Sequence, residues 1–518
     1  MGVNVRSVGR AVPLEARNQK IGGTLFLALV AAACIVPKFI GLTTQSLWLD
    51  ELNVLRYVSF PHLDHAFFQA IREEPHPPLW LVMMWGYAKL FGLTPFVLRL
   101  SGALTATLAV AACYFATARV LGNRVALITA MLLGMSSIGL YEAQEVRPYS
   151  LVFLFAAVSA AWFADAASTP EPSRKQLARL VAINVALCLT HYSGVFLAVG
   201  EAVMLLALTY KGRPTRALIA AAVVGAAALP ALAWMAWTLQ VYNPMATANI
   251  HWWAGDLLSP LRAFFGQFPI LILVAAPFVL ARGRVRELFD DPKVIGLIVV
   301  IVVVFAAVTA AAFVHPSWMQ NKNFYVAFPA GYLLLAALLC KNRVMQTPFA
   351  LPLVFLVCAA GLATYLSTGY PLHATSYYAP FREQVREASD LIGKLAEPQD
   401  TVLVGEIDIN GNRLFLVPTQ MYAERVEVKP WRSKDVRLLP PPRDKAGRLD
   451  ALATALNEIK PHATLIIDLP QSTRLSKAEN DLLNQAAMCI TEHVLVHHIV
   501  VQAGFGPDRC PRRQTVKD

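Results

Sequence analysis

The chain has 518 residues, 56% of them hydrophobic and only 15% charged, with a mean hydropathy of +0.49. A water-soluble protein of this length needs far more charge to cover its surface, so repeated apolar runs of about 20 residues read as membrane spans. The formal net charge of +11 does not argue for nucleic acid, because basic residues in membrane proteins mark cytoplasmic loops.

Arg6, Arg10, Arg17 and Lys20 precede the first apolar run, 21–42, which places the N-terminus in the cytoplasm. That run lacks an A-x-A-like cleavage site and is expected to be a permanent helix, not a signal. Directly after it, 46-SLWLDEL-52 sets Asp50 beside Glu51. Carboxylates at the edge of hydrocarbon are costly and so are functional candidates; the alternative is a solvated pair at a helix N-terminus, where acids are favoured. Two amphipathic stretches follow, 63-LDHAFFQAIREE-74 and 77-PPLWLVMMWGYAKLFG-92. Both are expected to lie on the membrane surface, the second through its interfacial Trp and Tyr. Reading the second as a span would put every later basic loop outside. Glu74 and His76 fall between the two.

Further apolar runs lie near 98–118, 125–141, 149–166, 177–190, 193–210, 217–238, 269–281, 294–314, 324–340 and 348–368. With the first they predict about eleven spans. Every second connection is basic: Arg119 and Arg124; Arg174, Lys175 and Arg179; Lys211, Arg213 and Arg216; Arg282, Arg284, Arg286 and Lys293; Lys341 and Arg343. One alternation fits all of them, with the N-terminus inside and the C-terminus outside.

The outer side then receives 43–97, 142–148, 190–192, 239–268 and 315–323. In 141-YEAQEVRPYSL-151, Glu142, Glu145 and Arg147 stand close together, with Pro148 placed to open the next helix. Arginine here can grip a phosphate bidentately, or the Glu and Arg can simply pair across a tight loop. His191 and Tyr192 occupy 190-THYSG-194. His251 and His315 are read as hydrogen-bonded structural residues. Lys322, in 315-HPSWMQNKNFY-325, can bind an anionic head group or snorkel. Asp165 and Glu201 are carboxylates placed near helix ends. The sequence has no HExxH, paired CxxC, Walker loop or GxGxxG, so nucleotide and tetrahedral zinc sites lack support.

The character changes after Tyr370, dividing the chain into a membrane region, 1–368, and a soluble outer α/β region, 369–518. Helices are expected near 381–396, 448–458 and 476–487. Strands are expected at 401–406, 463–469 and 492–501, with the Pro-rich 438-LLPPPRD-444 as a linker. Cys34, Cys113, Cys188, Cys340 and Cys358 lie in apolar runs, whereas Cys489 and Cys510 lie in the tail. An oxidising compartment predicts a disulfide between the last two.

Acids and cations thus gather on an outer face, where no nucleotide-sugar pool exists. A glycosyl donor there would be a sugar on a polyprenyl phosphate. Transfer needs a carboxylate to take the acceptor hydroxyl's proton and positive charge where the phosphate departs. A divalent metal ion could supply that charge, as could Arg147 or Lys322, and no ligand spacing is diagnostic of a metal.

The order of 48-WLDE-51, 76-HPPLW-80, 91-FGLTPFVLRLSG-102, 143-AQEVRPYSL-151, 191-HYSG-194 and the late FPAGYLLLAAL span resembles the GT-C glycosyltransferases of the family 39 type, the protein mannosyltransferases and aminoarabinose transferases. The resemblance covers about residues 21–345. It implies a polytopic helical fold that transfers a hexosyl or pentosyl group from a polyprenyl-phosphate donor to a glycan, lipid or protein acceptor. The implied setting is the outer face of a bacterial inner membrane. Asp50 is implied as the base or an acid orienting the acceptor, and Glu51 as the second member of the acid pair. Arg147, Glu145 and Tyr149 are implied beside the donor phosphate; His76, Glu74, His191 and Tyr192 are candidates for the substrate pocket. The family's Arg-Tyr pair before the late span reads Lys322-Asn323-Phe324 here. A transporter or flippase of a lipid-linked sugar is the rival reading; it would keep ionisable residues near mid-span.

Overall fold

The computed structural model describes residues 14–73, 76–169, 171–209, 214–241, 260–261, 264, 268–281, 285–314, 316–368, 385–405, 407–409, 412–414, 431–440, 444–470, 474–487, 489–495 and 498–505. Glu74, His251, His315 and Cys510 fall outside them.

All the apolar runs form helices. In chain order they are α1 (Leu14–Ile35), α5 (Pro95–Leu121), α6 (Asn123–Gly134), α7 (Ser137–Ala143), α8 (Tyr149–Ala167), α9 (Arg174–Thr190), α10 (Ser193–Thr209), α11 (Pro214–Gly225), α12 (Leu229–Val241), α13 (Phe268–Leu280), α14 (Pro292–Val314), α15 (Phe328–Cys340) and α16 (Ala350–Thr368). Among the described residues, five helical segments are long and apolar enough to cross a membrane, and α6 with α7 makes a sixth, bent by 61°. The protein is a polytopic helical membrane protein.

The bend has a physical cause. Helix α6 stops at Gly134, and Ser136 caps α7, its Oγ accepting from the Gly139 amide at 3.0 Å. The carbonyls released at the break need donors inside apolar surroundings. Lys38, 1% exposed, supplies one: its Nζ donates to the Gly134 carbonyl at 2.7 Å and to the Cys34 carbonyl of α1 at 2.5 Å. A second polar knot joins α8, α9 and α10. The Asn184 amide donates to Glu201 at 2.6 Å, and Ser159 Oγ lies 2.9 Å from Glu201 and 2.8 Å from Asn184. Glu201 therefore stands mid-helix and wholly buried, not near a helix end as its place in the apolar run suggested. Asp165 is at an end, paired with Arg179 at 2.8 Å.

Between α1 and α5 lie three short helices: α2 (Leu49–Ser59), α3 (Leu63–Glu73) and α4 (Pro78–Phe91). Helices α3 and α4 match the expected amphipathic stretches. Leu81, Met84 and Ala88 of α4 turn inward, against Leu52, Leu55 and Leu98, while Val82, Met83, Leu90 and Phe91 are exposed.

The C-terminal part builds a five-stranded sheet of order β4-β1-β5-β7-β6, from β1 (Thr401–Gly405), β4 (Asp435–Leu439), β5 (Thr464–Pro470), β6 (Cys489–Leu495) and β7 (His498–Gly504). A small hairpin, β2 (Ile407–Ile409) with β3 (Asn412–Leu414), stands apart. Strand β1 is parallel to β4 and β5, and β7 is antiparallel to β5 and β6. Alternation along β1 sends Val402 and Val404 to one face, under α17 (Val385–Leu395), through Ala388 and Ile392. Leu403 faces the other way, toward α18 (Lys445–Glu458) and α19 (Lys477–Ala486). The single strand expected at 492–501 is instead two, folded back with Leu495 opposite His498. A two-residue connection leaves no break in the apolar pattern to betray it. Cys489 is disulfide-bonded, while Cys34, Cys113, Cys188, Cys340 and Cys358 are free.

Candidate active site

The two adjacent acids open α2 at its second and third positions, and the helical turn separates their directions. Glu51 points inward and is fully buried. Its Oε1 accepts from Arg99 Nε at 2.9 Å and from the Val146 amide at 3.0 Å. Its Oε2 accepts from Arg99 Nη2 at 2.5 Å and from the Trp48 amide at 3.3 Å. The last contact is one half of a capping box. Both oxygens are thus engaged, and Glu51 stands as a buried clamp behind Asp50.

Arg99, from α5, was legible only as part of the 91–102 stretch. Buried at 2%, it also donates to the carbonyls of Leu42 (2.9 Å), Gln45 (2.7 Å) and Ser46 (2.7 Å). The clamp fixes two segments at once: the start of α2 and, through Val146, the loop between α7 and α8. That loop rests on α5 at Gly102, where an added Cβ would come within 2.8 Å of the Ala143 and Glu145 carbonyls. Trp48 ties the same segments again, its Nε1 donating to Glu145 at 2.7 Å.

Asp50 turns the other way. Its side chain is 21% exposed and pairs with Arg147 at 3.4 Å. Arg147 in turn lies, with Lys322, near Tyr149 and His191. The Tyr149 ring lies 5.6 Å from the His191 ring, and His76 lies 6.2 Å from His191. Tyr149 feels the charges of Lys322, Arg147, Glu142 and Asp50. Its buried hydroxyl has no hydrogen-bond partner among the described residues. Glu142 lies near the buried Tyr325 hydroxyl. Glu145 is held back by Trp48, one layer behind Arg147. Tyr192 faces Thr238 of α12 instead, and burial pushes its phenol up to about 12.

Burial, then the nearness of His76, Lys322 and Arg147, holds the His191 imidazole well below its usual value, so it is neutral at pH 7. An unfolded histidine titrates near 6.5. As pH falls below that value the unfolded state binds the proton and the folded state does not, so stability declines toward the depressed folded value. Thermal unfolding of detergent-solubilised protein should therefore show a midpoint that drops below about pH 6.5. His191→Gln should flatten that drop.

Next to His76 and Pro148 lies a small, mostly apolar pocket walled by Tyr57, Phe67, Trp80 and Trp234. Trp234 fixes its wall by donating to the His76 carbonyl at 3.1 Å. No group of three His, Cys, Asp or Glu side chains is placed to hold a metal ion among the described residues.

No protein-family model matches this chain, and no curated protein matches it. Solved structures do. The crystal structure of ArnT from Cupriavidus metallidurans bound to undecaprenyl phosphate covers 92% of this chain and 98% of its own, with a TM-score of 0.51 at 15% identity. Its apo state covers 93% and 98%, with a TM-score of 0.53 at 14% identity. At that identity the likeness is one of architecture, and the architecture is GT-C.

Proposed function

We propose that the protein transfers a sugar from a polyprenyl-phosphate donor to an acceptor hydroxyl at the outer face of the bacterial inner membrane. One observation carries the reading. A part-exposed carboxylate, Asp50, pairs with Arg147, and both, with Lys322, act on the buried Tyr149, whose hydroxyl has no hydrogen-bond partner among the described residues; the neighbouring Pro148 and His76 line a small apolar pocket. A polyprenyl phosphate has the matching halves: an isoprenoid for apolar surface and an anion for the cations. The bound lipid of the similarly folded ArnT is of this class.

In this reading Asp50 accepts the proton of the acceptor hydroxyl as its oxygen attacks the anomeric carbon. The bond from that carbon to the phosphate oxygen breaks, and the polyprenyl phosphate leaves with its added negative charge facing Arg147 and Lys322. Among the described residues Lys322 has no carboxylate partner, which suits it to an incoming anion. His191, being neutral, can donate or accept a hydrogen bond without adding charge. Glu51 positions and does not react.

The division into a membrane region, 1–368, and an outer region, 369–518, belongs to the same proposal. So do eleven spans and the cytoplasmic N-terminus, supported by the eleven helical runs and the alternation of basic loops. The transporter reading finds its mid-span carboxylate in Glu201, but Ser159 and Asn184 close that group off at 0% exposure. The test is release of polyprenyl phosphate by purified protein given a panel of polyprenyl-phosphate hexoses and pentoses with membrane extract. Release from one donor is expected and names the sugar. Binding without release from any would replace the enzyme with a transporter.

A further inference from the structure

We infer that Ser46, Arg386 and Glu387 form a latch through which the C-terminal sheet unit positions Asp50. The inference rests on the reading of Asp50 as the base, but its structural half stands on contacts alone.

Five successive backbone carbonyls, those of residues 42 to 46, are held by two arginines approaching from different parts of the chain. Arg99 of the membrane bundle takes Leu42, Gln45 and Ser46. Arg386, on α17, takes Thr43 at 2.7 Å and Thr44 at 3.1 Å. Between them Ser46, 3% exposed, donates its hydroxyl to Glu387 Oε2 at 2.6 Å and accepts the Arg386 amide at 3.1 Å. The Glu387 carboxylate is steadied in turn by the Arg386 guanidinium at 2.6 Å. Burial pushes the Glu387 carboxyl up, but the hydrogen bonds from Ser46 and Arg386 outweigh it and hold it below the usual range. The latch is therefore charged at neutral pH.

Helix α17 is an 11-residue element with one end in each body. Val385, fully buried, packs with Leu47, Leu52, Leu98 and Val146 under α2. Ala388 and Ile392, one and two turns on, pack beneath β1, β5 and β7. A helix of this length moves as a unit, so displacing the sheet unit displaces the loop that α17 grips. That loop runs into α2 three residues after Ser46, and Asp50 is the second residue of α2. The connection is also polar throughout: Glu387 to Ser46, the Ser46 carbonyl to Arg99, Arg99 to Glu51, and Glu51 to Val146, the neighbour of Arg147 that faces Asp50. A ligand or partner that shifts the sheet unit would change the aim of Asp50 without touching it.

The test uses the full chain in lipid nanodiscs, comparing wild type with Glu387→Ala, Ser46→Ala and Glu387→Gln. Two readouts are taken: amide exchange at 47–52, at Val146 and in β5, and kcat against KM for polyprenyl phosphate release. Glu387→Ala and Ser46→Ala should each speed exchange at 47–52 and Val146 by about tenfold while β5 stays protected. Both should lower kcat by about tenfold with the donor KM unchanged, since an aim is lost and not a binding contact. Glu387→Gln keeps an oxygen for Ser46 and should restore both. Unchanged exchange at 47–52 and Val146 overturns the latch. Faster exchange with an unaltered kcat overturns the positioning role. Faster exchange in a protein whose wild type releases polyprenyl phosphate from no donor leaves the latch standing and sinks the glycosyl-transfer reading instead.

Discussion

Asp50→Asn is expected to lower polyprenyl phosphate release by roughly 10²–10⁴-fold, the range that a positioned general base contributes. The amide keeps the shape and can still face Arg147, but it cannot take a proton. Stability should fall less than on loss of a fully buried pair, because Asp50 is 21% exposed and the amide oxygen of Asn can still accept from Arg147. The check is release rate alongside thermal unfolding of the same preparation. An Asn variant that turns over at the wild-type rate would remove Asp50 from the mechanism. So would one whose loss of rate merely follows a loss of folded protein.

Glu51→Ala, one residue on, should fail in the opposite order. It leaves Arg99, 2% exposed, as a buried cation with only carbonyls for company, and breaking a buried pair in this way costs about 3–5 kcal/mol. The Val146 and Trp48 amides lose their acceptor as well. The protein should therefore unfold at markedly lower temperature or denaturant, and release should fall in proportion to the folded fraction. Arg99→Ala should do the same from the other side, with the two losses far from additive, since each removes the same interaction. If Glu51→Ala proved as stable as wild type but inactive, Glu51 would rejoin Asp50 as a reacting group.

Those contrasting outcomes mark where the sequence could be read and where it could not. Adjacent carboxylates after a first apolar run point to a candidate site, and the expectation that Asp50, Arg147, Lys322 and His191 share one side of the membrane comes from the alternation of basic loops. The split in roles does not. It depends on α2, which is 11 residues long and begins at Leu49, turning neighbouring side chains about 100° apart. It depends also on Arg99, which reaches Glu51 across 48 residues of chain. A buried bidentate arginine leaves no local signature; within 91-FGLTPFVLRLSG-102 it looks like any charge at the mouth of a span. The latch at Ser46 is illegible for the same reason, since its partners Arg386 and Glu387 are 340 and 341 residues away. Long apolar helices were readable from hydropathy alone. The hairpin of β6 and β7 was not, because its strands share one apolar pattern and differ only in direction.

The knot of Ser159, Asn184 and Glu201 bears on how the chain is made. Each of α8, α9 and α10 carries one of these groups. A helix entering lipid alone would expose a polar side chain to hydrocarbon, at a cost of a few kcal/mol when that group is ionised. Together the three helices expose none. Glu201 on α10 is thus shielded only when α8 and α9 lie beside it, so the packing of these three helices removes a cost that α10 would carry alone.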